Sequence, residues 1–422
     1  MRHFTQILPI ILFLLAACAT QNERTPQISM MIFGDPAEKA AYERLVRAFA
    51  DERPDIAVNL IHIPDQQDYR RRLGVDLAGG KAADIVLLNY RRYAAYAAKG
   101  VLEPLGPYLA SSERIATTDF YPEALAPFNW QGQLMCIPQN LSSLVVYYNR
   151  DLLRASGLTD PAPDWTWDDL LHYAQTLTVD SDSDGQIDRY GLGSEIALNR
   201  LAPFIWQAGG ALVDDDKQPT QLTLDTPEAR TALQWFVDLQ LKHGVVPNAV
   251  AEAAESSERR FLNGRLGMFL NSRRGVPTYR TIEGFDWDVA ALPRDRLTAG
   301  VLHADAYCMP KTTQNKAATW AFIEFANSAT GQTIIAESGR TVPSLRSVAE
   351  STAFLDPQQK PASSRLFLET IPLLRSVPVL PAWADIEAIA DVEIERAFYG
   401  QADIDTVIDA ITERTQPFFT TP

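Results

Sequence analysis

Ile28-Ser29-Met30-Met31-Ile32-Phe33-Gly34-Asp35-Pro36 opens the patterned part of this 422-residue chain, and its reading decides the fold. A mostly apolar run stops at glycine and aspartate. Beyond Pro36, Ala41, Leu45, Ala48 and Phe49 recur at helical spacing as far as Asp51. The pattern predicts strand, turn, helix. It recurs at once: Ala57–Ile61 reads as a strand, Tyr69–Ala78 as a helix, Asp84–Leu88 as a strand, and an Ala/Tyr-rich helix follows to Lys99. Strands alternating with helices require parallel crossovers, so the expected class is α/β. Further helices are expected over Asp168–Thr178, Pro227–Lys242 and Asn315–Ser328, with Asp168 and Thr226 as N-caps, and strands over Ser143–Tyr148 and Leu266–Leu270.

Upstream, Arg2 precedes the apolar run Ile7–Leu15, which is too short for the roughly 20 apolar residues of a membrane span. A basic start, a short apolar core and the small pair Ala16-Ala17 read as a signal peptide over residues 1–17. Leu15-Ala16-Ala17-Cys18 resembles the lipobox of bacterial lipoproteins, which implies that Cys18 is lipidated and that the protein is a membrane-anchored lipoprotein facing the periplasm or the cell exterior. Residues 18–27 lack apolar periodicity and read as a tether. The remaining body, about 400 residues without another long apolar run, suits two lobes rather than one core. The net charge of −15 argues against a nucleic-acid partner.

Catalysis needs groups that can meet, and the raw material is poor. Four histidines follow the leader, His62, His172, His243 and His303, each isolated, with no H-E-x-x-H, G-x-S-x-G or phosphate loop. Besides Cys18 only Cys136 and Cys308 remain. In an exported protein they can bridge, and two buried thiols are an equally ordinary outcome. One segment is sharply patterned. Asp180, Asp182, Asp184 and Asp188, with Gly185 at the turn and Gln186 offering its carbonyl, follow the spacing of an EF-hand calcium loop. Position 12 is Gly191 instead of the bidentate glutamate, so the pattern is equally that of a solvated turn. No cofactor is required, and Ca2+ is the one structural ion the sequence suggests. Of eight tryptophans, most are expected in the core.

Read in order, the stations Ile32–Asp35, Ala83–Val86, Gly100–Leu105, Leu144–Leu152, Trp165–Leu170, Gly209-Gly210, Phe261–Met268, Met309–Lys311 and Ala318–Ile323 resemble extracellular solute-binding protein family 1, the maltose- and oligosaccharide-binding proteins of ABC importers. The resemblance implies a two-lobed periplasmic-binding-protein fold of type II, with ligand in a cleft between lobes joined by strands crossing near Gln139–Ser142, Leu302–Asp305 and Thr341–Leu345. The lobes would be residues 28–140 with 303–343, and 141–302 with 344–422. Cys136 and Cys308 would then lie near the hinge.

The same resemblance implies ligand contacts from Asp35; Asn89, Arg91 and Arg92; Asn140 and Ser142; Asn199, Arg200 and Trp206; Asn271, Arg273 and Arg274; and His303 with Asp305. The partners implied are a small polar solute, a sugar or a relative of one, and the permease subunits of an ABC importer, with the binding protein itself a monomer. Where sugar-binding relatives often place aromatic rings, this chain has Arg91-Arg92 and Arg273-Arg274. Guanidinium groups match carboxylate and phosphate better than hydroxyls, so an acidic ligand is one expectation. The other is that these arginines pair with acids of the protein itself. A secreted carbohydrate-active enzyme is the rival function, and no sequence feature supports it.

Overall fold

A computed structural model describes residues 26–419. The signal peptide, Cys18 and nearly all of the tether lie outside the described residues. Strand β1 (Gln27–Phe33), helix α1 (Pro36–Glu52), β2 (Ala57–Ile63), α2 (Gln66–Ala78), β3 (Ile85–Asn89) and α3 (Tyr90–Ala98) form the expected alternating unit. β1 pairs in parallel with both β2 and β3. The chain continues through β4 (Cys136–Pro138) into β5 (Leu144–Asn149), then α4 (Trp167–Leu177), β6 (Tyr190–Ser194), α5 (Leu198–Gln207), α6 (Pro227–Leu241), β7 (Leu266–Ser272), β8 (Trp287–Ala290) and β9 (Asp305–Cys308). Two long helices, α7 (Trp383–Phe398) and α8 (Ile404–Phe419), close it.

Two sheets organise these elements. The first runs β2-β1-β3-β9-β4 and the second β8-β5-β7-β6. Every residue of β5 is buried, as a central strand covered on both faces requires, and this explains its unbroken run Leu144-Val145-Val146-Tyr147-Tyr148. The chain passes from β4 to β5 through Asn140 and Leu141, which pair with Pro343 and Val342, and Ser142 bridges to His303 just before β9. Three chain segments thus run side by side between the sheets, and residues at these junctions look into the space between them. Cys136 and Cys308 face each other in the β4–β9 register and are joined by a disulfide.

Local chemistry sets the helix starts that matter for the site. Asp35 caps α1 by accepting from the Glu38 amide at 2.9 Å, with Pro36 at the first helical position. Asn89 caps α3 by accepting from the Arg91 amide. One start differs from expectation: α4 is capped by Thr166, in a reciprocal box with Asp169, so Asp168 lies inside the helix. The hydroxyl of Thr166 and the carboxylate of Asp169 satisfy two end amides at once, which a cap at Asp168 would forgo. Among the described residues no helix is long and apolar enough to cross a membrane.

Candidate functional site

Between the sheets lies a cleft of about 600 Å³. The end of β1 and the start of α1 bring Phe33, Gly34, Asp35 and Glu38 to it; the β3–α3 junction brings Asn89, Arg91 and Arg92; the connecting segments bring Asn140, Ser142, His303 and Asp305. From the second sheet and its helices come Glu195, Asn199, Arg200, Ser272 and Arg274, and from later in the chain Arg340, Glu387 and Asp391. Gly34 is where β1 can turn into α1: its φ of +121° is unfavourable for a side chain, and a Cβ there would collide with the Glu38 carboxylate.

Charge dominates this lining, and most of it is paired inside the cleft. Arg340 donates to Asp35 at 2.9 Å and lies 2.8 Å from Glu38. Glu195 takes Arg200 and, at 2.6 Å, Arg274. Glu387 takes Arg91 and, at 3.4 Å, Arg92. Asn89 donates to Asp305 at 3.1 Å, and the Asp305 amide donates to Asn140.

Burial tunes the rest. It pushes the Glu38 carboxyl up to about 8 against the pull of Arg340, and raises Asp305 as well. Asp391 rises to about 6 by burial, although it accepts from the Leu198 amide. Burial, together with Arg200, Arg91 and Arg274, holds His303 well below its ordinary value, so its ring is neutral. The result is a field of paired donors and acceptors with few apolar surfaces. Phe33 is the only phenyl, phenol or indole ring among the described lining residues.

Three residues expected at the ligand are not in this lining. Trp206 is buried in α5, with Arg375 6.0 Å over its ring. It shares a helical face with Asn199 but sits seven residues on, roughly 10 Å along the axis and away from the cleft end of α5. Asn271 donates to the Tyr279 hydroxyl at 2.7 Å inside the second lobe. Arg273 is 1% exposed and lies between Phe354 and Phe367, 4.3 and 4.9 Å from their rings. Ser272 and Arg274 face the cleft, and Asn271 and Arg273 face the core behind it: strand alternation separates Asn271 from Ser272 at the end of β7, and the short 3-10 turn Arg273–Gly275 that follows directs Arg273 inward.

Several lining residues went unread in the sequence: Glu38, Arg70, Glu195, Ser272, Arg340, Glu387 and Asp391. Only Glu38 carried a local signal, one helical turn after Asp35. The Asp180–Asp188 turn lies elsewhere. There the Asp180, Asp182 and Asp188 carboxylates bring oxygens within 4.8 Å of one another around a loop with Gly185 at φ +86°. Gln186 and Asp184 sit on its outer arm, the Gln186 amide donating to Asp184 at 2.7 Å.

A cleft between two α/β lobes joined by several crossing segments, lined from both sides by hydrogen-bonding groups, is the architecture of a solute-binding protein. The chain belongs to the bacterial extracellular solute-binding proteins, whose family model matches residues 34–333. It is 24% identical over 404 residues to the mannitol-binding protein of Pseudomonas aeruginosa, covering 88% of each chain. Among solved structures it resembles the ABC substrate-binding protein Lmo0181 of Listeria monocytogenes in complex with cycloalternan, with a TM-score of 0.84, 24% identity, and coverage of 94% of this chain and 98% of that one. UgpB of Mycobacterium tuberculosis in complex with glycerophosphocholine superposes with a TM-score of 0.80 at 22% identity, covering 94% and 98%. The family and these relatives are binding proteins, and the chain is a binding protein of an ABC transport system rather than an enzyme.

Proposed function

We propose that this protein captures a small polyhydroxylated solute, a sugar or polyol derivative, and hands it to the membrane permease of an ABC importer. The observation that carries this reading is the cleft lining, in which guanidinium–carboxylate pairs from both lobes present alternating donors and acceptors while a single phenyl ring is exposed to the ligand. Vicinal hydroxyls both donate and accept, so they fit such pairs. A long oligosaccharide would ask for more ring platforms. That the Pseudomonas relative is named for mannitol supports the same size class.

Capture follows from two lobes touching one ligand: the closed form gains contacts that the open form lacks, and the population shifts to it. The lobes divide in this reading as the crossings at 139–142, 302–305 and 341–345 suggest. The protein works as a monomer on a lipid anchor at Cys18. Differential scanning fluorimetry against neutral and acidic sugars and polyols tests the core of this reading. At a hundredfold excess over Kd a true ligand stabilises by about 2.7 kcal/mol, a shift of several degrees. Arg200→Ala removes it. A library that produces no shift at all would rule the reading out. Cys18→Ser is expected to release the protein from membranes into the soluble fraction.

A further inference from the structure

The cleft runs into a recess of about 30 Å³ beside α2 and α3. Its charged and polar lining includes Gln66, Arg70, Asn89, Arg92 and Asp305, beside Tyr69 and Tyr96 and over Leu73, Leu87 and Leu88. Phe33, Gln66, Arg70, Asn89, Arg92 and Asp305 belong to both the recess and the cleft, so the recess opens into the ligand space.

Arg70 differs from the other cleft arginines. The other five each have a carboxylate within 4.0 Å, whereas the Arg70 side chain makes no hydrogen bond or ion pair among the described residues. Arg92 is weakly held: its contact with Glu387 is 3.4 Å long, and its buried Nε has no partner. Glu387 is already engaged by Arg91, and Asp305 is occupied by Asn89 and raised by burial. Burial, Arg92 and Arg91 pull Arg70 down to about 10, which leaves it a cation at neutral pH. Three guanidiniums therefore share one end of the cleft with two carboxylates, Glu387 and Asp305, each already hydrogen-bonded to another group. A partly buried cation that feels Glu387 and Asp305 only at a distance, without a direct ion pair, is incompletely compensated until an anion arrives. The recess is too small for a sugar ring but takes oxyanion oxygens, and the flat guanidinium fork matches them.

We infer that this recess docks an oxyanion carried by the solute, a carboxylate or a phosphate, with Arg70 and Arg92 setting specificity for a charged polyol over its neutral counterpart. The hydroxylated remainder lies among the paired charges of the main cleft. The inference deepens the solute-binding reading and rests on it.

Calorimetric titration with matched pairs tests it: glycerol against sn-glycerol 3-phosphate, mannitol against mannitol 1-phosphate, and glucose against glucuronate, with inorganic phosphate alone as a control. At least one charged member should bind tenfold or more tighter than its neutral partner, and the phosphate and uronate arms distinguish the two oxyanions. Arg70→Gln should weaken that charged member about 10- to 100-fold, the range of a lost charge-assisted hydrogen bond, and leave its neutral partner unchanged. Arg70→Lys should recover part of the loss. Circular dichroism checks that the variants fold. Neutral members binding as tightly as charged ones, or Arg70→Gln weakening both alike, would overturn the inference. Neutral-only binding removes it and leaves the solute-binding reading standing; binding by no member removes both.

Discussion

The Glu387 carboxylate on α7 accepts from the Arg91 guanidinium on α3, 296 residues earlier in the chain. Because α7 also packs on α5, α6 and α8, this pair fastens a helix of the first lobe to the helical layer beside the second. Both side chains are shielded, at 13% and 4% exposure, and Arg92 shares the same carboxylate. Glu387→Ala leaves two guanidiniums without a counter-charge and is expected to destabilise by about 3 kcal/mol. Urea denaturation reads this as a lower midpoint, and an unchanged midpoint would show the pair to be ornamental.

The Cys136–Cys308 disulfide closes a 172-residue loop at the roots of two crossing segments. Chain-entropy arithmetic gives a loop of that length a stabilisation of up to about 5 kcal/mol. The double variant Cys136→Ser/Cys308→Ser should therefore melt well below the oxidised protein. Dithiothreitol should lower the melting temperature of the parent and leave that of the double variant unchanged. Equal melting temperatures would remove any structural role for the bridge.

Stability should fall as pH rises toward 8. Burial, opposed by Arg340 and helped by Asp305 and Asp35, holds the Glu38 carboxyl near 8 when folded, against 4.5 for the free group. Between those values the folded state binds the proton that the unfolded state releases, so this group contributes most below pH 4.5 and loses its contribution on the way to 8. Glu38→Gln should flatten that limb of the pH–stability profile. An unchanged slope in the variant assigns it to another group.

Arg273 fills space between Phe354 and Phe367, donates one long hydrogen bond of 3.4 Å to Ser364, and leaves Nε and Nη2 buried without partners. Burial pulls it down to about 9. Replacing a poorly satisfied buried cation by an apolar chain of similar reach is often neutral or stabilising. Arg273→Met should keep ligand affinity and lose less than about 1 kcal/mol of stability. A collapse of binding would return Arg273 to the ligand.

Calcium should stabilise the turn at Asp180, Asp182 and Asp188. Three converging carboxylates and a glycine turn suit a hard cation at the affinities of extracellular modules, about 0.1–1 mM. At tenfold excess over Kd the gain is about 1.4 kcal/mol, reversed by chelator and abolished by Asp182→Asn with Asp188→Asn. Indifference of the melting temperature to millimolar calcium identifies the segment as a solvated turn.

Legibility followed the range of the interactions involved. Asp35, Asn89, Arg91 and Arg92 stand at strand-to-helix junctions, and junctions are visible in sequence because an apolar run, a cap and a helical period meet there. Of the adjacent Arg70, Arg71 and Arg72 the sequence selects none: Arg71 turns to Asp68, Arg72 pairs with Asp76 at 2.6 Å, and only packing leaves Arg70 in the cleft. Asn271 and Arg273 fall outside the lining because the whole segment reads as polar, while strand alternation turns Asn271 away from Ser272 and the 3-10 turn beyond β7 turns Arg273 into the core.

Periodicity and capping involve neighbours within four residues, so the sequence alone determined the alternating strands and helices and the α/β class, while the two lobes followed from chain length and family resemblance and the cleft positions from that resemblance. The charge of that cleft was decided only by the tertiary structure. Ion pairing depends on which groups come within 4 Å, and Glu195, Arg340 and Glu387 arrive from segments far apart in the chain, so that every cleft arginine but Arg70 lies within 4 Å of a carboxylate.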